Sequence, residues 1–309
     1  MDQENLTITG IEGLKTKKVG NITLVAKPMQ MKFEDGHMET KDVYVPVREK
    51  NKVYIVGCAS TKDMVPWDDP DAEYWGVNNL YGVPIEGAHY DRWFEIHNIW
   101  LDQGSNKMVR RELFDFRGTP IMDYMQGLAN LKIPVYMQRW WGDLVPNSVP
   151  YPLQDIINYF ANEKGFGLQI ARYLTNSITH QIVLAIYEGF KEIQVWGVDM
   201  AVGSEYHVQK PSCEFWLGVA AGMGIKVVLP QEADLLKTRF IYGFEEPLQT
   251  AWHKKIKKVR VDMIRKQNEV AAQLEQNKKA FEQYVGAIHA TNELEKLWEN
   301  LDEMAKAGR

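Results

Sequence analysis

The sequence predicts an α/β protein: a Rossmann-like, mostly parallel sheet with an N-terminal β arm and a C-terminal helical extension. Three observations carry this expectation. Between residues 51 and 245, short apolar runs alternate with stretches of helical periodicity, the pattern of βαβ units. Several of those runs finish on glycine or a polar residue, as strands do at the carboxyl edge of an open sheet, where such folds place their ligands. From residue 252 to 309 proline is absent, and apolar residues recur every three or four positions.

The elements follow in order. Residues 1–50 hold β-like runs at 21–26 and 43–47 around the turn-like Glu34-Asp35-Gly36, a β-hairpin or an extended arm. The nucleotide-binding-type core spans 51–245. Its first strand is 52–57, a buried run closed by Gly57, and 74–78 and 92–97 are the second and third. A helix over 120–131 leads to a fourth strand at 133–137. Thr175, Asn176 and Ser177 open an apolar helix that runs through Tyr187 and is closed by Gly189, ahead of a fifth strand at 192–197. A helix over 213–223 and a sixth strand at 226–229, stopped by Pro230, complete the core. The extension, 246–309, reads as a helical hairpin or one long helix that packs on the core or on another subunit. Ile256, Val259, Met263, Val270, Leu274, Phe281, Tyr284 and Ile288 mark its apolar face. Lys266 and Asn277 interrupt a heptad zipper, and Asn292 with Glu295 is a cap for a last helix.

Composition limits the function classes. The chain has 309 residues, 45% hydrophobic, 25% charged and 11% aromatic, which is globular and not disordered. Two cysteines, Cys58 and Cys213, build neither a disulfide framework nor a zinc site, which points to a reducing, cytoplasmic setting. The polar start lacks a basic signal region, and no apolar run of about 18 residues occurs, so neither export nor a membrane partner is expected. A net charge of −5 gives no global attraction for nucleic acid. A local patch at Lys254, Lys255, Lys257 and Lys258, extended by Arg260, Arg265 and Lys266, is either a solvated helix face or a track for DNA phosphates.

Candidate site residues lie at the expected strand ends. The small-residue loop after the first strand, Gly57 to Thr61, lets backbone amides approach an anion, with Ser60 and Thr61 adding hydroxyls; it carries neither a G-x-G-x-x-G nor a Walker motif. Asn78 and Asn79 suit a ribose hydroxyl or a base edge, or cap their own loop. His97 ends the third strand with Glu95 on the same face to orient it, for phosphate contact or proton transfer. Thr175 and Ser177 stand at a helix start, where hydroxyls cap free N–H groups or share them with a phosphate. Asp199 follows the fifth strand as a nucleotide-binding candidate, and Tyr206 and His207 lie in the loop beyond it, within range of an acceptor hydroxyl; the alternative for Asp199 is to fix that loop by accepting backbone N–H bonds.

The order of these motifs, V-Y-I-V-G-C-A-S-T-K, W-G-V-N-N-L-Y, the T-N-S-I helix, then A-I-Y-E-G-F-K-E-I-Q-V-W-G-V-D-M and E-Y-H, resembles bacterial CMP-sialic-acid-dependent sialyltransferases with a single Rossmann-like domain. It also resembles a wider phage and archaeal set that includes 6-hydroxymethylpterin diphosphokinase-like proteins. The likeness covers about residues 52–230. It implies metal-independent, cofactor-free glycosyl transfer from a nucleotide sugar to a hydroxyl acceptor, and a phage-encoded enzyme working in the host cytoplasm. Ser60, Asn78 and Ser177 would hold the nucleotide, His207 would be the base and Tyr206 would hold phosphate oxygens. The chain departs from the family in its first loop, which lacks a second glycine and a proline, and at Ala201, where a tyrosine is expected. Two alternatives stay open: a nucleotide-binding protein that sequesters or senses without transfer, and a DNA-base glycosyltransferase using the basic helix. A homo-oligomer through the C-terminal helices is a further expectation.

Overall fold

The computed structural model describes residues 13–32, 37–97, 99–102, 107–110, 121–200, 206–238, 240–245 and 248–307. The expected turn at 34–36, Pro120 and the segment 201–205 lie outside them. The chain divides into two units, Met1–Lys237 and Thr238–Arg309.

In the first unit the N-terminal segment forms an antiparallel sheet of β1 (Thr16–Val19), β2 (Ile22–Lys32) and β3 (Met38–Pro46). Gly20, at φ 57, supplies the left-handed position that a two-residue hairpin between Val19 and Ile22 requires. The sequence shows only two of these strands, because β1 is the polar, mostly exposed run Thr-Lys-Lys-Val. Val25, Val43, Val45 and Val47 turn inward and join the same apolar cluster as the central sheet.

That central sheet has seven strands: β4 (Lys52–Val56), β5 (Ala72–Val77), β6 (Arg92–Glu95), β9 (Val135–Met137), β10 (Ser148–Pro150), β11 (Glu192–Trp196) and β12 (Lys226–Val228). A separate antiparallel pair, β7 (Ile99–Asp102) with β8 (Lys107–Arg110), follows β6. The sheet order is β10-β9-β6-β5-β4-β11-β12, and every pairing in it is parallel. The chain steps outward from β4 to β10, then crosses back to β11, so the topological switch point lies between β4 and β11.

Helices α1 (Ile121–Asn130), α2 (Leu153–Asn158), α3 (Leu168–Ala171), α4 (Ser177–Glu188) and α5 (Tyr206–Gly222) connect the strands. Period-two alternation divides the sheet residues between its faces. Val53, Ile55, Trp75, Val77 and Phe94 pack in the cluster that includes Ile182 and Leu184 of α4, while Tyr54, Val56, Tyr74 and Trp93 pack with Tyr124, Met125 and Leu128 of α1.

Several element boundaries differ from expectation for local reasons. The seventh strand, β10, is a three-residue edge strand ending on proline, too short to show a period. β6 stops at Glu95, because the Glu95 carboxylate then turns back to bond the backbone of residue 97. α5 begins at Tyr206 and not at 213, with Pro211 inside its first half. The second unit is dominated by α6 (Leu248–Ala307), one uninterrupted helix of 60 residues, so Asn292 is mid-helix and caps nothing. Among the described residues no helix is long and apolar enough to cross a membrane.

Candidate functional site

The carboxyl ends of β4, β5, β6 and β11 and the start of α4 share one edge of the sheet. At the switch point the two backbones touch. Gly57 N–H donates to the Trp196 carbonyl at 2.8 Å and Ala59 N–H to the Gly197 carbonyl at 2.8 Å. A Cβ on Gly57 would stand 2.4 Å from the Gly197 oxygen, and one on Gly197, at φ 65, would stand 2.4 Å from the Gly57 oxygen. Only paired glycines permit this approach.

Thr61 locks it. Its buried Oγ1 accepts the Gly197 N–H at 2.8 Å and donates to Asp199 Oδ1 at 3.3 Å. The Thr61 hydroxyl is therefore directed into the protein, and Asp199 anchors the first loop. Ser60, one residue earlier, is exposed at the start of the 3-10 turn Ser60–Met64.

Asn78 follows β5 in a left-handed conformation, φ 53, which asparagine tolerates better than most residues. Its N–H donates to the Phe94 carbonyl and its carbonyl accepts from Trp93 Nε1, both at 2.9 Å, so the backbone is satisfied by β6. The side-chain Oδ1 is buried and has no hydrogen-bond partner among the described residues. A buried, unbonded amide oxygen costs about 1–3 kcal/mol, which makes it a place where a ligand donor fits. Asn79 precedes the short turn Leu80–Gly82 and makes no side-chain cap.

Beyond β6, His97 Nδ1 lies 2.6 Å from Glu95 Oε1, which also accepts the His97 backbone N–H at 3.1 Å. Glu95 is fully buried, and its other carboxylate oxygen accepts from the Tyr124 hydroxyl. A carboxylate on Nδ1 fixes the ring and its tautomer, and assigns proton exchange with a ligand to Nε2.

At α4, Asn176 is the cap: its Oδ1 accepts from the Thr179 N–H at 2.9 Å. Its Nδ2 reaches the Gln209 carbonyl at 3.1 Å, and Thr175 Oγ1 donates to the Val208 carbonyl at 3.0 Å, so both residues tie the start of α4 to that of α5. Ser177 is the first helical residue, half-buried. One turn on, Gln181 Nε2 donates to the Gly76 carbonyl at 3.0 Å, two residues before Asn78. Ser60, Asn78 and Ser177 are thus brought to a single edge of the sheet. Tyr206 and His207 form the opening of α5, beside Val208; their side chains lie outside the described residues. Cys213 is buried against Asn176 and Thr179, and burial pushes its thiol up to about 11, which removes it as a nucleophile.

Two features escaped the sequence reading. Arg92, fully buried, makes ion-pair contacts of 2.7 Å to both Glu73 and Glu188. Beside it, a cavity of about 360 Å³ is lined by Lys27, Arg48, Tyr136, Asp155 and Glu188. Burial pushes the Lys27 ammonium down against the opposing pull of Asp155 and Glu188. Neither this cavity nor a second of about 180 Å³ around Lys50, Asp69 and Asp91 contains an expected site residue. The available signal was a charged residue inside an apolar strand run, Glu73 before Tyr74-Trp75 and Arg92 before Trp93-Phe94. Among the described residues, no group of three or more His, Cys, Asp or Glu is placed to hold a metal ion.

No protein-family model and no curated protein matches the chain. Among solved structures, the sialyltransferase CstII from Campylobacter jejuni in complex with CMP-3FNeuAc is similar over 58% of this chain and 79% of that one, at 14% identity and a TM-score of 0.38. An apo α-2,3-sialyltransferase from Campylobacter jejuni matches over 58% and 75%, at 12% identity and 0.38. The monofunctional α-2,3-sialyltransferase Cst-I of the same organism matches over 69% and 96%, at 10% identity and 0.36. The architecture described above rests on the strand order and parallel register of this chain.

Proposed function

We propose that the chain is a glycosyltransferase-like enzyme that moves a sugar from a nucleotide donor to a hydroxyl acceptor without a metal ion. The observation that carries the reading is the Glu95–His97 pair on the same sheet edge as the unpartnered Asn78 amide oxygen. Asn78 Oδ1 accepts from a ribose hydroxyl or a base amine, with Asn79 beside it. Ser60 and the backbone amides after Gly57 receive phosphate oxygens, and Ser177 at the start of α4 stabilises the charge of the departing phosphate, while Thr175, whose hydroxyl is bonded to the Val208 carbonyl, holds that helix start in place.

In the transfer step a base takes the acceptor proton, the acceptor oxygen bonds to the anomeric carbon, and the bond from that carbon to the phosphate oxygen breaks. The electron pair leaves with the nucleotide. His97, held by Glu95, is the base that this geometry favours. His207, with Tyr206 on the leaving phosphate, is the base that the motif order favours.

A panel of nucleotide sugars, assayed for release of free nucleotide with a chelator present, tests the proposal. Turnover that is lost in either His97→Ala or His207→Ala supports it and chooses between the two bases. Tight calorimetric binding with no release from any donor would move the protein to nucleotide sequestration or sensing. Neither binding nor release would end the reading.

A further inference from the structure

Helix α6 is about 90 Å long at 1.5 Å per residue. Its large apolar side chains are exposed along its whole length, from Trp252 at 63% to Met304 at 74%. Two stripes recur at a fixed spacing of 11: Trp252, Met263, Leu274 and Val285, and Val259, Val270 and Phe281. An 11-residue repeat makes 3.67 residues per turn, close to the unstrained helix, so both stripes run nearly straight along one side. The spacing also accounts for Lys266 and Asn277: they are 11 apart and occupy a row of their own beside the apolar stripes. The stripes run from Trp252 to Val285, about 50 Å at 1.5 Å per residue, and an apolar face of that length marks an interaction surface.

Charge identifies what covers it. Residues 254–266 carry seven basic side chains and one acid, Asp262, whereas residues 293–303 carry five acids and one base, Lys296. We infer that α6 pairs with α6 of a second copy of this chain, antiparallel and centred near Asn277, the middle of the helix. Counting equal distances from Asn277, residues 254–266 then lie beside residues 288–300 of the second copy, so that the lysines at 254–258 meet the stretch holding Glu299, with Glu293 and Glu295 one to two turns further along. A parallel pair would instead stack the two basic segments.

Sedimentation of the full chain tests the pairing. A dimer is expected that weakens at least tenfold when Lys254, Lys255, Lys257 and Lys258 are all changed to Glu. Adding Glu293→Lys, Glu295→Lys and Glu299→Lys to that same chain is expected to restore it, which separates lost charge pairing from misfolding. Spin labels on Gln267→Cys in a Cys58→Ser background should lie about 30 Å apart across an antiparallel pair; a parallel pair would hold them about 10 Å apart. A monomer at all concentrations, the short distance, or a monomer that binds duplex DNA through the four lysines would each overturn the inference.

Discussion

Glu73→Gln removes one of the fully buried charges in the fold. Its side chain is 1% exposed beside Arg92 at 0%, and it also accepts from Trp75 Nε1 at 2.9 Å. Burial pushes the Glu73 carboxyl up to about 7 from an ordinary 4.5; the Arg92 guanidinium opposes that rise, and the neighbouring Glu188 carboxylate adds to it. The folded state therefore holds a proton that the unfolded chain releases. The resulting stability is fully present below about pH 4.5 and is lost as pH rises through about 7. At 1.36 kcal/mol per pH unit the loss is about 3 kcal/mol. Glutamine is neutral throughout, so urea unfolding, followed by tryptophan fluorescence, should show the variant gaining about 3 kcal/mol on the wild type between pH 4.5 and 7. A stability difference between the two proteins that stays constant across this range would refute the reasoning.

The remaining predictions concern the sheet edge and its support. Asn78→Gly keeps the left-handed backbone and removes a buried oxygen without a partner, so stability should hold or rise in thermal melts while nucleotide affinity falls about tenfold by calorimetry. Glu95→Gln should slow transfer by about tenfold to a hundredfold with less effect on KM, because it disturbs the orientation of His97 and not donor contact; an unchanged kcat would remove His97 from the chemistry. Gly197→Ala places a methyl 2.4 Å from the Gly57 oxygen at φ 65 and should cost more than about 2 kcal/mol in denaturant unfolding. Arg92→Met leaves Glu188 without its counter-ion and should cost about 3–5 kcal/mol at neutral pH by the same measurement.

Much of the core was legible because buried parallel strands are short apolar runs and because glycine and asparagine punctuate them. The α4 boundaries follow directly from Asn176 as its cap and Gly189, in a left-handed conformation, as its stop. The strand ends before Gly57 and Asn78 were readable for the same reason; the Glu95–His97 pairing was legible from their spacing of two, although β6 ends at Glu95 and His97 lies beyond it. What escaped has physical causes too. β1 is polar and β10 has three residues, so neither offers a hydrophobic period. The role of Thr61 depends on a bond to Gly197, 136 residues away, which no local pattern encodes. The Arg92 cluster joins three separate elements, so the sequence displays its members only as charges out of place. The first turns of α5, from Tyr206, carry polar residues and Pro211, which show no apolar helical period.

The most direct measurement is a crystal structure of the full chain soaked with a nucleotide sugar. The proposal predicts the nucleotide along the carboxyl ends of β4 and β5, with the Asn78 amide within hydrogen-bond distance and the sugar turned toward His97. Density in the cavity between Lys27 and Glu188, with that sheet edge empty, would contradict it.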